Sequence, residues 1–177
     1  MQEKPVTPEH DRHMSIIDDK AYRLAAEVGQ ELKRRGQLLA TAESCTGGLV
    51  SMLLTTVAGS SAWFDRGFVS YSNAAKQDML GVRPDTLARY GAVSEQTVGE
   101  MARGAIDGSL ARVAVSITGI AGPGGGSPDK PIGTVCIGWC VDDNCTTTTC
   151  HFEGERDSVR EQSAMVALQG LLVRMCG

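Results

Sequence analysis

The stretch Leu38–Val57, LLATAESCTGGLVSMLLTTV, contains the pattern that decides the fold. Residues 38–42 form a short apolar run that is typical of a buried strand. A turn rich in hydroxyl groups and glycine follows at 43–48, and residues 49–57 then have the composition of a helix that ends at Gly59. A buried strand that leads directly into a helix indicates an α/β protein with parallel strand pairs.

The rest of the chain continues this alternation. Apolar or alternating segments predict four further strands, at 63–71, 113–117, 133–141 and 146–152. Apolar residues at helical spacing predict helices, at 17–36, 73–80, 94–106 and 158–175, with Ser72 and Ser94 as N-caps. Strands that alternate with helices early in the chain, followed by a strand hairpin late, predict a three-layer α/β/α sandwich around a mixed, partly parallel sheet. We expect one domain over residues 15–177 and a disordered arm over residues 1–14, which carry two prolines and no periodicity.

Composition argues against several classes of protein. The 177 residues carry 17 Lys and Arg against 21 Asp and Glu, and a net charge of −4 gives no basic surplus for nucleic acid. No apolar run approaches the roughly 20 residues of a membrane span. The polar start, MQEKPVTPEHDRH, differs from a signal peptide, so we expect a cytoplasmic protein that binds neither membrane nor nucleic acid.

Cysteine and histidine content bears on metal sites and on redox state. Four of the six cysteines fall within Cys136–Cys150, without the C-x-x-C spacing that zinc sites favour. In a cytoplasmic chain we expect these cysteines to be reduced, and Cys136 and Cys140 to be buried on one strand face. His10 and His13 lie in the polar arm, which leaves His151 in the folded part. We therefore predict no metal, and catalysis that does not depend on histidine.

The turn at 43–48 is the first candidate site, because a helix start offers free backbone N–H groups that can bind an anion. Ser44 can serve there as a nucleophile or simply as a helix cap. Cys45 is the competing nucleophile at the same helix start. The amides of Thr46–Gly48 are the first candidates for an oxyanion hole.

Lysine is the natural activating base where histidine is scarce, because a desolvated lysine loses its proton near neutral pH. Lys76, just beyond a predicted strand, is one candidate, although an exposed helix lysine is an alternative interpretation. Lys130 is a rival through Ser127-Pro128-Asp129-Lys130, formally an S-x-x-K motif. The flanking prolines disfavour the helix that this motif requires, so we interpret the match as accidental.

A second candidate site is the loop Gly119–Gly126, with five glycines in eight positions. It lacks both the P-loop pattern and a Rossmann pattern that opens a helix, so no nucleotide cofactor is indicated. Arg156, before the last predicted helix, can bind a phosphate or a carboxylate, or form a surface ion pair.

Taken together, these segments resemble the C-terminal domain of the CinA (competence/damage-inducible) family from about Ala21 to Leu172. The motifs that carry the resemblance are Ala42–Gly48, Ala58–Ser61, Gly67–Asn73 with Lys76, Gly91–Ser94, Ile117–Pro123, Lys130–Val135 and Gly154–Arg156. The resemblance implies hydrolysis of the carboxamide of nicotinamide mononucleotide to nicotinate mononucleotide and ammonia, by a Ser/Lys mechanism without metal or cofactor.

The resemblance also implies roles for individual residues. Ser44 would be the nucleophile, Lys76 the general base and Tyr71 a helper in the proton path. Thr118 and Gly119 would lie near the substrate, and Arg156 would meet its phosphate. We further expect a homo-oligomer, and the alternative function is a non-catalytic nucleotide-binding or interaction module linked to competence or DNA damage.

Overall fold

A computed structural model describes residues 18–177. Its elements, in chain order, are α1 (Asp19–Arg35), β1 (Leu39–Glu43), α2 (Leu49–Thr55), a 3₁₀ turn (Ser60–Ala62), β2 (Phe64–Val69), α3 (Asn73–Leu80), α4 (Pro84–Tyr90), α5 (Glu95–Asp107), β3 (Val113–Gly119), β4 (Thr134–Val141), β5 (Asn144–His151) and α6 (Arg156–Cys176). The arm predicted for residues 1–14 lies outside the described residues.

The five strands form one mixed sheet in the order β2-β1-β3-β4-β5. Strand β1 runs parallel to both of its neighbours, whereas β3–β4 and β4–β5 are antiparallel pairs. The carboxyl ends of β1, β2 and β3 therefore meet at one edge of the sheet, which is where ligands bind in open α/β sheets. The segments that follow Glu43, Val69 and Gly119 are brought together at this edge.

Helices cover both faces of the sheet, which confirms the predicted three-layer sandwich. One apolar core lies between the sheet and α1, α2 and α6, and it includes Trp63 and Trp139. The other lies between the sheet and α3, α4 and α5, around Met101. All five residues of β1 are buried because this strand is covered on both faces.

The helix starts follow the predicted capping. The Ser72 hydroxyl accepts the Ala75 N–H at 3.0 Å, and the Ser94 hydroxyl accepts the Thr97 N–H at 3.2 Å. Helix α4 was not predicted from the sequence. It has seven residues, too few to show an apolar period, although Pro84 at its first position is a typical start signal.

The expectation of reduced cysteines is wrong at one pair. Cys140 and Cys145 form a disulfide, with their Cα atoms 4.1 Å apart. They lie directly opposite each other on β4 and β5, and the short hairpin brings their side chains to the same face. Cys136 is buried and unpaired, as predicted, with its sulfur 3.5 Å from the Thr149 hydroxyl.

Candidate active site

Ser44 and Lys76 meet at the carboxyl edge of the sheet, although they are 32 residues apart in sequence. Ser44 directly follows β1, and its N–H donates to the Ile117 carbonyl of β3 at 3.0 Å. Lys76 lies in the first turn of α3, and its Nζ is 2.9 Å from the Ser44 Oγ. Ser44 is 7% exposed and Lys76 only 1%. The two side chains therefore form a hydrogen-bonded pair largely shielded from water.

Burial and the lack of a charged partner distinguish Lys76 from an ordinary surface lysine. Its Nζ donates to the backbone carbonyls of Ser70 at 2.8 Å and Tyr71 at 3.2 Å, and within residues 18–177 it forms no ion pair with a carboxylate. Burial lowers the pKa of the Lys76 ammonium, and the nearby Cys45 opposes this only in part. A lysine in such a position can accept a proton from the serine that it contacts.

Cys45, the rival nucleophile, is a core residue. Its side chain packs among the apolar residues between the sheet and α2, where 6% of it is exposed. Burial raises the pKa of its thiol to about 11. The thiol therefore stays protonated near neutral pH, and this geometry disfavours it as a nucleophile.

Two of the backbone N–H groups that were predicted to form an oxyanion hole already have acceptors within the protein. The Gly47 N–H donates to the Ser44 carbonyl at 3.0 Å, and the Gly48 N–H donates to the Glu43 carboxylate at 3.0 Å. This arrangement does not support the expected contribution of Gly47 and Gly48 to an oxyanion hole, because both amides are already bonded. In the described part of the chain, the N–H groups of Cys45 and Thr46 donate to no other residue, although the Cys45 N–H lies within reach of its own thiol sulfur.

Gly47 and Gly48 have a conformational reason to be glycine. Their φ angles are 60° and 97°, in the left-handed region that side chains disfavour. These two residues turn the chain from β1 into α2 and so set the position of Ser44 above the sheet edge.

Arg156 and Tyr71 form the outer end of the site. Arg156 donates to the Gly122 carbonyl at 2.7 Å through Nη1 and to the Tyr71 hydroxyl at 3.2 Å through Nη2. Tyr71 is 61% exposed, and its backbone carbonyl, rather than its hydroxyl, contacts Lys76. The phenol is therefore placed with the arginine at the mouth of the site.

Thr118 and Gly119, at the end of β3, have their own packing roles. The Thr118 hydroxyl donates to the Ala92 carbonyl at 2.9 Å and so holds the turn before α5. A Cβ at Gly119 would lie 2.9 Å from the Thr134 carbonyl oxygen, which explains why glycine is needed there. Both residues lie on the strand next to β1, close to the sheet edge that carries Ser44.

Lys130, the rival base, is a structural residue. Its Nζ donates to the carbonyls of Tyr90 at 2.8 Å and Val93 at 2.6 Å. Ser127 and Lys130 are joined by backbone hydrogen bonds in a turn, not a helix. The S-x-x-K match is accidental, as the flanking prolines indicated.

Two charged residues at the site were missed in the sequence analysis. Arg160, one helical turn after Arg156 on α6, donates to the Thr46 carbonyl at 3.0 Å. The carboxylate of Glu43, directly before Ser44, binds N–H groups at the start of α2. The four-residue spacing of the two arginines was a signal that both lie on one helix face.

The described residues contain no group of three or more side chains suited to a metal ion. Within residues 18–177, no helix combines the length and the apolar character that crossing a membrane requires.

The fold and the paired serine and lysine at its sheet edge define an α/β protein with a shielded polar site. Residues 21–175 match the family model described as the CinA C-terminal domain, and the chain belongs to this family.

Its relatives include two proteins named nicotinamide-nucleotide amidohydrolase PncC. The protein from Escherichia coli K12 is 54% identical over 158 residues, covering 88% of this chain and 95% of the relative. The protein from Enterobacter agglomerans is 52% identical, covering 89% of this chain and 96% of the relative. A crystal structure of a competence/damage-inducible protein from Agrobacterium tumefaciens superimposes with a TM-score of 0.88 at 43% identity. That likeness covers 93% of this chain and all of the other.

Proposed function

We propose that this protein hydrolyses the carboxamide of nicotinamide mononucleotide, releasing ammonia and nicotinate mononucleotide. The observation that carries the proposal is the 2.9 Å contact between the Ser44 Oγ and the Nζ of a buried Lys76 with a lowered pKa. The substrate follows from the names of the relatives at 52% and 54% identity. Together they support a serine amidohydrolase in which lysine replaces the usual histidine.

The first half of the reaction forms an acyl-enzyme. Neutral Lys76 takes the proton from the Ser44 hydroxyl as that oxygen attacks the carboxamide carbon. The oxyanion that develops needs two hydrogen-bond donors, and the N–H groups of Cys45 and Thr46, which donate to no other residue, are the available pair. The Lys76 ammonium then gives its proton to the leaving nitrogen, ammonia departs and an ester remains on Ser44.

The second half reverses these roles. A water molecule attacks the ester carbon and gives its proton to Lys76, and the same two amides stabilise the second oxyanion. The ester bond breaks, the Ser44 oxygen takes the proton back from Lys76 and nicotinate mononucleotide leaves. The carbonyls of Ser70 and Tyr71 keep Nζ in place while its charge appears and disappears.

The phosphate of the substrate belongs at the mouth of the site. Arg156 retains N–H donors beyond the two that bond Gly122 and Tyr71, and a guanidinium binds phosphate well. Tyr71 would help the proton path through its backbone carbonyl, while its hydroxyl orients Arg156. Thr118 and Gly119 would line the neighbouring wall.

The test is ammonia release from nicotinamide mononucleotide by the purified chain. Ser44→Ala should abolish turnover and leave the fold intact, because it removes one hydroxyl and no packing. Cys45→Ala is the matched control at the adjacent position and should keep most of the activity. An inactive wild type would favour a non-catalytic binding module, and an inactive Cys45→Ala beside an active Ser44→Ala would favour a cysteine hydrolase.

A further inference from the structure

Glu43 is the last residue of β1 and directly precedes Ser44, and its carboxylate is almost completely buried, with 1% exposure. It accepts four hydrogen bonds. Oε2 accepts the N–H groups of Gly48 at 3.0 Å and Val50 at 3.1 Å. Oε1 accepts the Ser51 N–H at 2.9 Å and the Ser51 hydroxyl at 2.7 Å.

A buried carboxylate is destabilising unless its oxygens are fully hydrogen-bonded, and here each oxygen has two donors. Three of the donors are amides at the start of α2, which has no side-chain cap of its own, since its N-cap is Gly48. Glu43 therefore fixes both ends of the turn 44–47. Its backbone holds one end in β1, and its side chain binds the other.

The backbone of Glu43 connects the turn to the lysine as well. The Glu43 carbonyl accepts the Ser70 N–H at 2.9 Å, and the Ser70 carbonyl accepts the Lys76 Nζ at 2.8 Å. Lys76 in turn bonds Ser44, the residue after Glu43. These contacts form a closed ring from Glu43 through Ser70 and Lys76 back to Ser44.

Arg160 also holds this turn, because it donates to the Thr46 carbonyl. The Glu43 carboxylate thus binds the Gly48 N–H at the end of the turn, and the Arg160 guanidinium binds the Thr46 carbonyl within it. The amides of Cys45 and Thr46 are the ones that neither group occupies.

We propose that Glu43 is a positioning residue of the amidase reaction: its buried carboxylate fixes the turn 44–47, so that Ser44 meets Lys76 and the Cys45 and Thr46 amides face the substrate. This inference rests on the proposed function. A purely structural role, in which Glu43 only stabilises α2, predicts that its loss unfolds the protein. The positioning role predicts instead that turnover is lost while the protein remains folded.

The decisive variant is Glu43→Gln, which keeps the size and shape of the side chain. At the Oε2 position the NH₂ group would face two N–H donors and break both bonds. At the Oε1 position it would face the Ser51 N–H and break that bond, while the Ser51 hydroxyl could turn to accept from it. We expect kcat to fall about 10- to 150-fold, the effect of losing one or two bonds to a charged group, with KM changed less than about threefold.

Two milder variants keep the test decisive if Glu43→Gln fails to fold. Ser51→Ala removes one donor to Oε1 and should lower kcat by a smaller factor. Thr41→Val is the matched control, because the Thr41 hydroxyl lies 2.7 Å from the Ser51 Oγ and does not touch the carboxylate. It should retain the wild-type kcat.

A substrate-independent readout separates this inference from the proposed function. Phenylmethylsulfonyl fluoride labels an activated serine by forming an O–S bond and releasing fluoride, with the hydroxyl proton passing to the base. Glu43→Gln should slow this labelling of Ser44 in parallel with kcat, while circular dichroism stays that of the wild type. A folded Glu43→Gln protein with wild-type kcat and labelling rate would overturn the inference, as would a Ser51→Ala protein indistinguishable from Thr41→Val. If the wild type released no ammonia from nicotinamide mononucleotide, the proposed function would fail, and the labelling rates would still decide the role of Glu43.

Discussion

Replacing Arg156 with alanine tests whether this residue binds the phosphate of the proposed substrate. Arg156 is exposed at the mouth of the site and reaches Gly122 and Tyr71 with two of its five N–H groups. The remaining donors are free to bind the substrate phosphate. With a net charge of −4 on the whole chain, local donors have to outweigh an unfavourable overall field.

The expected increase in KM for Arg156→Ala depends on how far solvent screens the exposed guanidinium. A hydrogen bond to a charged group contributes about 1.5–3 kcal/mol, which corresponds to about 10- to 150-fold in affinity. Solvent screens an exposed pair, so we expect the lower part of this range, an increase in KM of about 10- to 30-fold. The kcat value should change little, because Arg156 contacts neither Ser44 nor Lys76.

The assay compares nicotinamide mononucleotide with nicotinamide riboside, which has the same carboxamide and lacks the phosphate. Arg156→Ala should raise KM for the nucleotide and leave the riboside, already a poor substrate, almost unaffected. Arg160→Ala is the matched control one turn along α6. It loses the bond to the Thr46 carbonyl and should lower kcat for both substrates alike. Equal penalties of Arg156→Ala on the two substrates would show that Arg156 supports the structure and does not bind phosphate.

Three further predictions concern the lysine and the cofactor requirement. Burial holds the pKa of Lys76 below the ordinary 10.5, and only the neutral amine accepts the serine proton. The rate should therefore fall as the pH falls through this pKa, and a flat pH–rate profile would contradict the role of Lys76 as the base. Lys76→Met should abolish turnover; at pH values below the pKa of Lys76, where the wild type has to bury a charge, it should also raise Tm by about 2–4 °C for each 1 kcal/mol gained. Between the lowered pKa and the ordinary 10.5, the unfolded chain binds more protons than the folded one, so the free energy of unfolding of the wild type rises with pH. The gain in Tm from Lys76→Met, measured by calorimetry, should therefore be largest below this pH window. Exhaustive chelation with EDTA should leave the rate unchanged, and a loss of rate that zinc restores would favour metal-activated water.

The sequence predicted the scaffold because the scaffold depends on local patterns. The apolar run before Ser44 and the capping serines at 72 and 94 each specify one element through its own residues. The resemblance to a known family then selected Ser44 and Lys76, which lie in elements far apart in the chain. Neither periodicity nor composition could have paired them.

The contacts that the sequence did not predict depend on where side chains point after folding. Glu43 ends a strand, and nothing in its neighbours indicates that its carboxylate turns back to bind the amides of α2. For the same reason Gly47 and Gly48 were expected to offer free amides, although Ser44 and Glu43 occupy them. The Cys140–Cys145 disulfide was missed because the expectation came from the cellular compartment and not from strand register.

The position of β2 at the edge of the sheet has a consequence for how activity is lost under stress. The serine follows β1, which has strand partners on both sides. The segment leading to the lysine follows β2, which pairs only with β1 and has no fully buried residue. An edge strand of this kind detaches at a lower free energy than the centre of the sheet. In urea, hydrolysis should therefore disappear before the far-ultraviolet circular dichroism changes, and amide hydrogens of residues 64–69 should exchange faster than those of residues 113–117. Local detachment of the edge strand β2 would therefore abolish activity while the rest of the molecule stays native.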